Sequence, residues 1–173
     1  MITEERTDQA IQAWFVGRLP DGWKSEPPEF TIDREEITVR ITIDPVELEA
    51  DASAEAVEEA GAGRIAAWRE QTREERIGIA REAESRFERK VSWGARIGDQ
   101  TALFTHLAVP VMTRLRQPQR KVLDTLVDSG VARSRADALA WCVRLVGEHS
   151  EDWLSELRTA MEAVKEVRDR GPA

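Results

Sequence analysis

The chain has 173 residues, 41% of them hydrophobic and 34% charged, which is typical of a soluble globular protein with one compact domain or a domain plus a small module. It has no apolar run near the ~20 residues that span a bilayer, and residues 1–12 lack the basic flank and apolar core of a signal peptide. The single cysteine, Cys142, excludes an intrachain disulfide framework, and with only two histidines it forms no metal-ligand cluster. We therefore expect a cytoplasmic protein without membrane, metal or cofactor binding.

Charge is unevenly distributed along the chain. The net charge of −8 argues against a generic nucleic-acid binder. Between Val109 and Gly147, however, seven basic and three acidic residues give a net charge of +4, which leaves −12 for the rest of the chain. A basic module is thus attached to an acidic body. The excess of arginine over lysine, with abundant alanine and no tyrosine, is typical of a bacterial protein from a GC-rich genome.

The first predicted elements are a helix and a strand. Apolar residues at helical spacing, among them Ile11, Trp14 and Phe15, predict a helix over residues 4–17. After a connector rich in turn residues, strict alternation of apolar and polar residues predicts a strand from Ile37 to Ile43, with one face buried.

A long helical region follows. Residues 47–63 are acidic and rich in alanine, which predicts partial helix, and Gly61 and Gly63 loosen its end. A long charged helix with a thin apolar stripe is then expected over residues 64–89. The thin stripe indicates that this helix packs on one side only.

A hairpin completes the predicted N-terminal domain. Val91 to Ile97 alternates as a second strand, and Gly98-Asp99-Gln100 turns the chain into a third strand from Ala102 to Ala108, with a helix starting at Thr101 as the alternative. Helix, antiparallel strands and long helix together predict an acidic α+β domain over residues 1–108. The six tryptophans of the chain are mostly core, although Trp14 and Trp23 flank a loop where a ligand or partner could bind.

The pattern changes after Val109. A short strand is predicted with Val111, Thr113 and Leu115 on one face and Met112, Arg114 and Arg116 on the other. Pro118 then opens a helix that ends at Gly130, a C-terminal cap.

A second helix in this stretch begins at Ser134, with Asp137 three residues later as in a capping box. It carries two apolar faces, made of Leu139, Cys142, Val143 and Val146 and of Ala138, Trp141 and Leu145. Two apolar faces on one short helix predict burial against another chain. A last amphipathic helix, within residues 148–173, is expected from Ser150 to about Arg170.

The stretch 109–147 resembles the ribbon–helix–helix superfamily of Arc-, MetJ- and CopG-type repressors. The resemblance is carried by residues 112–116, residues 122–127 with Gly130, and the segment Arg-Ser-Arg-Ala-Asp-Ala-Leu at 133–139. It implies a homodimer in which two strands pair into a ribbon that enters the DNA major groove.

The resemblance also assigns roles to residues, which we carry as expectations. Base edges would be read by Met112, Arg114 and Arg116. A phosphate would be clamped at the start of the second helix by Arg133, Ser134 and Arg135. The dimer core would consist of Val111, Thr113, Leu115, Leu139, Trp141 and Val143.

Three functions remain open at this point. The first is a dimeric transcriptional regulator that binds double-stranded DNA. The second is an interaction module in which the same fold only dimerises, while the acidic domain docks on a larger protein or ribonucleoprotein complex such as the ribosome or transcription machinery. An enzyme with a site around Trp14, Trp23 and Trp93 is the third; no phosphate loop, nucleophile elbow or paired ligand motif supports it, so we expect no catalytic residues.

Overall fold

The computed structural model describes residues 2–23 and 26–170, which form two compact units. The first unit extends to Pro110 and the second begins at Val111. The described residues contain six α-helices, a 3₁₀ turn at Asp21–Trp23 and one four-stranded sheet, so the predicted α+β class is confirmed. In chain order the elements are α1 (Ile2–Arg18), β1 (Glu29–Ile32), β2 (Glu36–Thr42), α2 (Ala54–Gln71), α3 (Arg73–Phe87), β3 (Lys90–Ile97), β4 (Gln100–Leu103), α4 (Gln117–Asp128), α5 (Arg135–His149) and α6 (Glu151–Arg170).

The sheet of the first unit is mixed, with strand order β1-β2-β3-β4. The outer pairs are antiparallel, but the central pair β2–β3 is parallel, with Val39 opposite Trp93. All strands were predicted to be antiparallel. The prediction is wrong for the central pair, which is parallel. The reason is the connection: α2 and α3 cross over between β2 and β3 and return the chain to the edge from which β2 began.

The helical region between these strands differs from the prediction. A single helix over residues 64–89 was expected, whereas α2 already begins at Ala54, where Ser53 Oγ accepts a hydrogen bond from the Ala56 N–H at 3.2 Å. Gly61 and Gly63 lie inside α2 and do not end it. The break occurs at Thr72, whose backbone (φ −97°, ψ 4°) departs from helical geometry.

Two strands also differ from their predicted bounds. β1 was not predicted, because four residues after a proline pair are too few to show alternation. The third predicted strand, Ala102–Ala108, begins earlier and ends at Leu103. Its last bond to β3 is from the Phe104 N–H to the Trp93 carbonyl at 2.7 Å, beyond which the chain leaves the sheet.

The core of the first unit lies between the sheet and its helices. Alternate residues of β2 and β3 meet Ile11 and Phe15 of α1 and Ile79 of α3, all fully buried. Trp23 and Trp93 are also buried and meet edge-to-face with ring centroids 6.1 Å apart. The tryptophans that could have flanked a ligand loop or an active site therefore belong to the packed core.

Candidate nucleic-acid interface

The segment before α4 is extended and exposed. Residues 104–116 contain no strand in the single chain, because no second strand pairs with them there. The side chain of Val111 is 85% exposed and that of Met112 is 96% exposed. The predicted strand is thus corrected to an unpaired extended segment, and its backbone N–H and C=O groups have no ladder partner within the described residues.

The burial of this segment follows the two predicted faces only in part. Leu115 is half-buried and packs on the small core between α4 and α5, whereas Val111 and Thr113 are exposed, contrary to their expected place in a core. The candidate base-reading residues Met112, Arg114 and Arg116 are all exposed. Their side chains are therefore accessible to solvent in a single chain.

Local hydrogen bonds connect this segment to α4. The Arg116 N–H donates to Gln119 Oε1 at 2.8 Å, and Arg120 Nη1 donates to the Leu115 carbonyl at 2.7 Å. Pro118 lies in the first turn, as predicted. The helix ends before Gly130, whose φ of +77° is in the left-handed region that favours glycine.

Ser134 caps α5 as predicted, but Asp137 accepts from the N–H of Arg133 and not from that of Ser134, so the capping box is incomplete. Ser134 Oγ accepts from the Asp137 N–H at 3.2 Å, and Asp137 Oδ2 accepts from the Arg133 N–H at 2.9 Å. This second bond is the main reason why the pKa of Asp137 lies below its ordinary value. Ser134 and Arg133 therefore meet at one helix N-terminus, and the Arg133 side chain is 94% exposed.

Arg135, the third candidate of the phosphate clamp, is engaged elsewhere. Its Nε and Nη2 donate to the two carboxylate oxygens of Asp124 at 2.6 and 2.9 Å. The bidentate bond holds the pKa of Asp124 below its ordinary value and raises that of Arg135. Sequence reasoning missed this pair, since an 11-residue separation across a loop leaves no periodic signal.

The second unit has a very small core of its own. Its fully enclosed apolar side chains, within the described residues, are Leu123, Ala132 and Ala138. Of the other residues expected in a dimer core, Leu139 and Trp141 are half-buried and Val143 is 66% exposed. The exposed face of α5 that carries Val143 also carries Val146. Apolar side chains are thus left uncovered on both the extended segment and α5.

Across residues 2–23 and 26–170, no three His, Cys, Asp or Glu side chains are placed to hold a metal ion. None of the helices in the same part of the chain combines the length and apolar character needed to cross a bilayer.

The fold and this exposed segment define a two-unit α+β protein whose second unit contains α4, α5 and α6 after an unpaired extended segment. The chain belongs to the Rv1265-like family: residues 9–103 match the Rv1265-like N-terminal domain and residues 116–168 match the Mb1296 C-terminal domain. It is similar to Rv1265 of Mycobacterium tuberculosis and to Mb1296 of Mycobacterium bovis. Each is 56% identical over 159 residues, which cover 92% of this chain and 69% of the relative. No solved structure matches the chain.

Proposed function

We propose that the protein is a cytoplasmic, dimeric transcriptional regulator that reads DNA with a β-ribbon formed by residues 111–116 of two copies. The observation that carries the proposal is the extended, unpaired segment in which Val111 and Met112 are almost fully exposed, directly before the helix pair α4–α5. An extended segment with no partner in its own chain would become a strand when the same segment of a second copy pairs with it.

The small core of the second unit supports the proposal that the protein forms a dimer. Three buried apolar side chains are far fewer than a unit of about 60 residues needs for independent stability. Val111 on the segment and Val143 on α5 are apolar side chains that a two-fold partner would remove from water. At about 25 cal/mol per Å² of apolar surface, covering these faces supplies the stabilisation that the single chain lacks.

Charge and geometry support DNA as the ligand of the ribbon. Arg114 and Arg116 are exposed beside Met112, and guanidinium groups are suited to the two acceptors of guanine. The N-terminus of α5, with the exposed Arg133, provides backbone N–H groups and positive charge for a phosphate. Because the acidic remainder of the chain repels phosphates, we expect binding to be confined to this small surface.

The proposal is tested with the full chain and a duplex selected from a random 20-bp library. We expect sedimentation to give a dimer and binding to weaken steeply with salt. The double variant Arg114→Ala with Arg116→Ala should bind the selected duplex about a hundredfold more weakly, at ~1–3 kcal/mol for each base contact. Arg81→Ala, at an exposed position of α3, serves as the matched control.

Two outcomes would contradict parts of the proposal. A monomer at micromolar concentration rules out the ribbon altogether. A dimer without measurable affinity for any selected duplex leaves dimerisation and rejects DNA reading. That second outcome favours the alternative in which the acidic unit docks on a larger complex.

A further inference from the structure

A groove runs between α2 and β4 on the first unit. It encloses about 520 Å³, within the range of small-molecule sites. The helix and the strand run in the same direction along it, because Gly61 faces the Gln100 side chain at one end and the Arg69 guanidinium lies over the Phe104 ring at the other. β4 is an edge strand, so no further strand covers this side of the sheet.

The end of the groove at Phe104 carries the guanidinium groups of Arg69 and Arg76, and the carboxylate of Glu70 also lines the groove. The guanidinium carbons of Arg69 and Arg76 lie 5.5 and 4.9 Å from the centroid of the Phe104 ring. Arg69 lines the groove and is exposed, whereas Arg76 contacts the ring without lining the cavity. Two positively charged side chains thus make cation–π contacts with the same aromatic ring.

Arg76 is buried without a counter-ion. The residue is only 7% exposed, and its hydrogen-bond partners are neutral: Nε donates to Thr72 Oγ1 at 3.0 Å and Nη2 donates to the Arg69 carbonyl at 2.6 Å. No carboxylate of the described residues lies within 4.0 Å of its guanidinium, although it has donors to spare. A buried charge that lacks an opposite charge destabilises the folded state, because its desolvation is not offset by an ion pair.

The neighbours of Arg76 increase this cost. Burial lowers the pKa of Arg76, the charge of Arg69 lowers it further, and Glu70 opposes these effects without forming an ion pair. An anion held at Arg69 would offset the repulsion between the two guanidinium groups. The geometry therefore favours a negatively charged ligand at this end.

The remainder of the groove is suited to an apolar body. Most of its walls there are small or aliphatic side chains of α2 and β4, namely Ala62, Ile65, Ala66, Ala102 and Leu103, and the polar Gln100 and Thr101 complete the lining. Glu58, eleven residues before Arg69 on α2, also lines the groove. A second negative charge on the ligand would meet Glu58, so a single anionic head is favoured.

We propose that the α2–β4 groove binds a small organic anion, with a carboxylate or phosphate head at Arg69 beside Phe104 and an apolar body along Ile65. Arg76 supplies the second positive charge at the aromatic ring. The proposal is independent of the proposed DNA binding, since it uses residues of the first unit alone.

The test uses the full chain with decanoate, decyl phosphate and uncharged 1-decanol as probes. We expect saturable calorimetric binding of at least one anion, about tenfold tighter than that of decanol. Arg69→Gln, at an exposed position, should remove that preference, and the control Arg81→Gln on α3 should keep it. Shifts of the Ile65 methyl resonance would place the tail in the groove, and the ratio of decanoate to decyl phosphate affinity distinguishes the two heads.

Three results would overturn the proposal: equal binding of the anions and decanol, anion binding unchanged in Arg69→Gln, or saturation without a shift at Ile65. Arg76→Met provides a second, independent variant and should weaken anion binding without changing decanol binding. DNA binding is measured in parallel, and its loss or persistence does not bear on these outcomes.

Discussion

Arg135 at the start of α5 donates two parallel hydrogen bonds to Asp124 of α4, at 2.6 and 2.9 Å. The pair bridges the two helices that resemble the ribbon–helix–helix pattern. It also occupies the Nε–Nη2 edge of the guanidinium, whose N–H groups would otherwise donate to a DNA phosphate. Arg133, which is 94% exposed but has its Nε 3.6 Å from Asp137 Oδ2, and the helix N-terminus at Ser134 are then the groups left for that contact.

Asp124→Asn tests whether Arg135 can join the clamp. The substitution removes the carboxylate that holds Arg135 and one negative charge near the proposed DNA surface. We expect tighter binding to a selected duplex and a salt dependence steeper by about one unit of slope, as one further phosphate contact requires. Stability should change little, because both groups are on the surface.

Asp128→Asn is the matched control for this measurement, since Asp128 is an exposed acid of the same helix that carries the same charge. If both variants raise affinity equally, the effect is only one of net charge. Arg135 would then take no part in binding DNA.

Ser134 is expected to serve both as a helix cap and as part of the phosphate site. Ser134→Ala removes the acceptor for the Asp137 N–H and should cost about 1 kcal/mol of unfolding free energy. Ser134→Asp retains a capping oxygen but places a negative charge where a phosphate would bind. It should unfold like the wild type and lose at least about tenfold in DNA affinity.

The two variants are compared by urea unfolding and by fluorescence anisotropy with the same duplex. Retained DNA affinity in Ser134→Asp would show that no phosphate approaches this helix end. Ser134 would then be a cap alone.

Strong local patterns explain why some of the fold was predicted. The alternation around Val39 and around Trp93 and the apolar spacing of α1 each come from a face buried on the core, so β2, β3 and α1 lie close to where they were expected. The parallel pairing of β2 with β3 depends on which strand edges meet after two helices. Single-strand periodicity contains no information about that.

The missed features depend on contacts between distant residues. Thr72 interrupts the helix by an altered backbone in a sequence that remains favourable for helix, and Asp124 meets Arg135 across a loop. The α2–β4 groove combines ordinary residues such as Arg69 and Phe104, each unremarkable in its own segment. Only the tertiary arrangement brings them together.

The lowered pKa of Asp137 predicts that the second unit is less stable at acidic pH. The pKa of this aspartate is lowered, first by the hydrogen bond from the Arg133 N–H, so the folded state favours the ionised carboxylate. The resulting stabilisation is fully present above its ordinary value of 3.8 and is lost as the pH falls through the lowered pKa. We expect unfolding of the second unit to become easier below about pH 4.

Asp137→Asn should flatten this pH dependence, because an amide does not titrate in the same range. The measurement is urea unfolding between about pH 3 and pH 6, followed by Trp141 fluorescence in a variant that lacks the other tryptophans or by hydrogen exchange at α5. An unchanged pH profile in Asp137→Asn would assign the acid sensitivity to other carboxylates, with Asp124 the next to be tested.

Two glycines should respond in opposite directions to the same substitution. Gly63 lies in the interior of α2, where an added Cβ would meet no atom within 4 Å, so Gly63→Ala should stabilise the first unit by about 0.5–1 kcal/mol. Gly130 follows α4 with φ +77°, and Gly130→Ala should destabilise the second unit by about 1 kcal/mol, although space is equally open there.

Both variants are compared with the wild type by urea unfolding, and hydrogen exchange assigns each change to its unit. Because the added methyl group and the open surroundings are alike, the difference in sign comes from backbone conformation alone. A neutral Gly130→Ala would mean that the turn after α4 can relax out of the left-handed region. The loop that positions Ser134 relative to Asp124 would then be less firmly defined than its hydrogen bonds indicate.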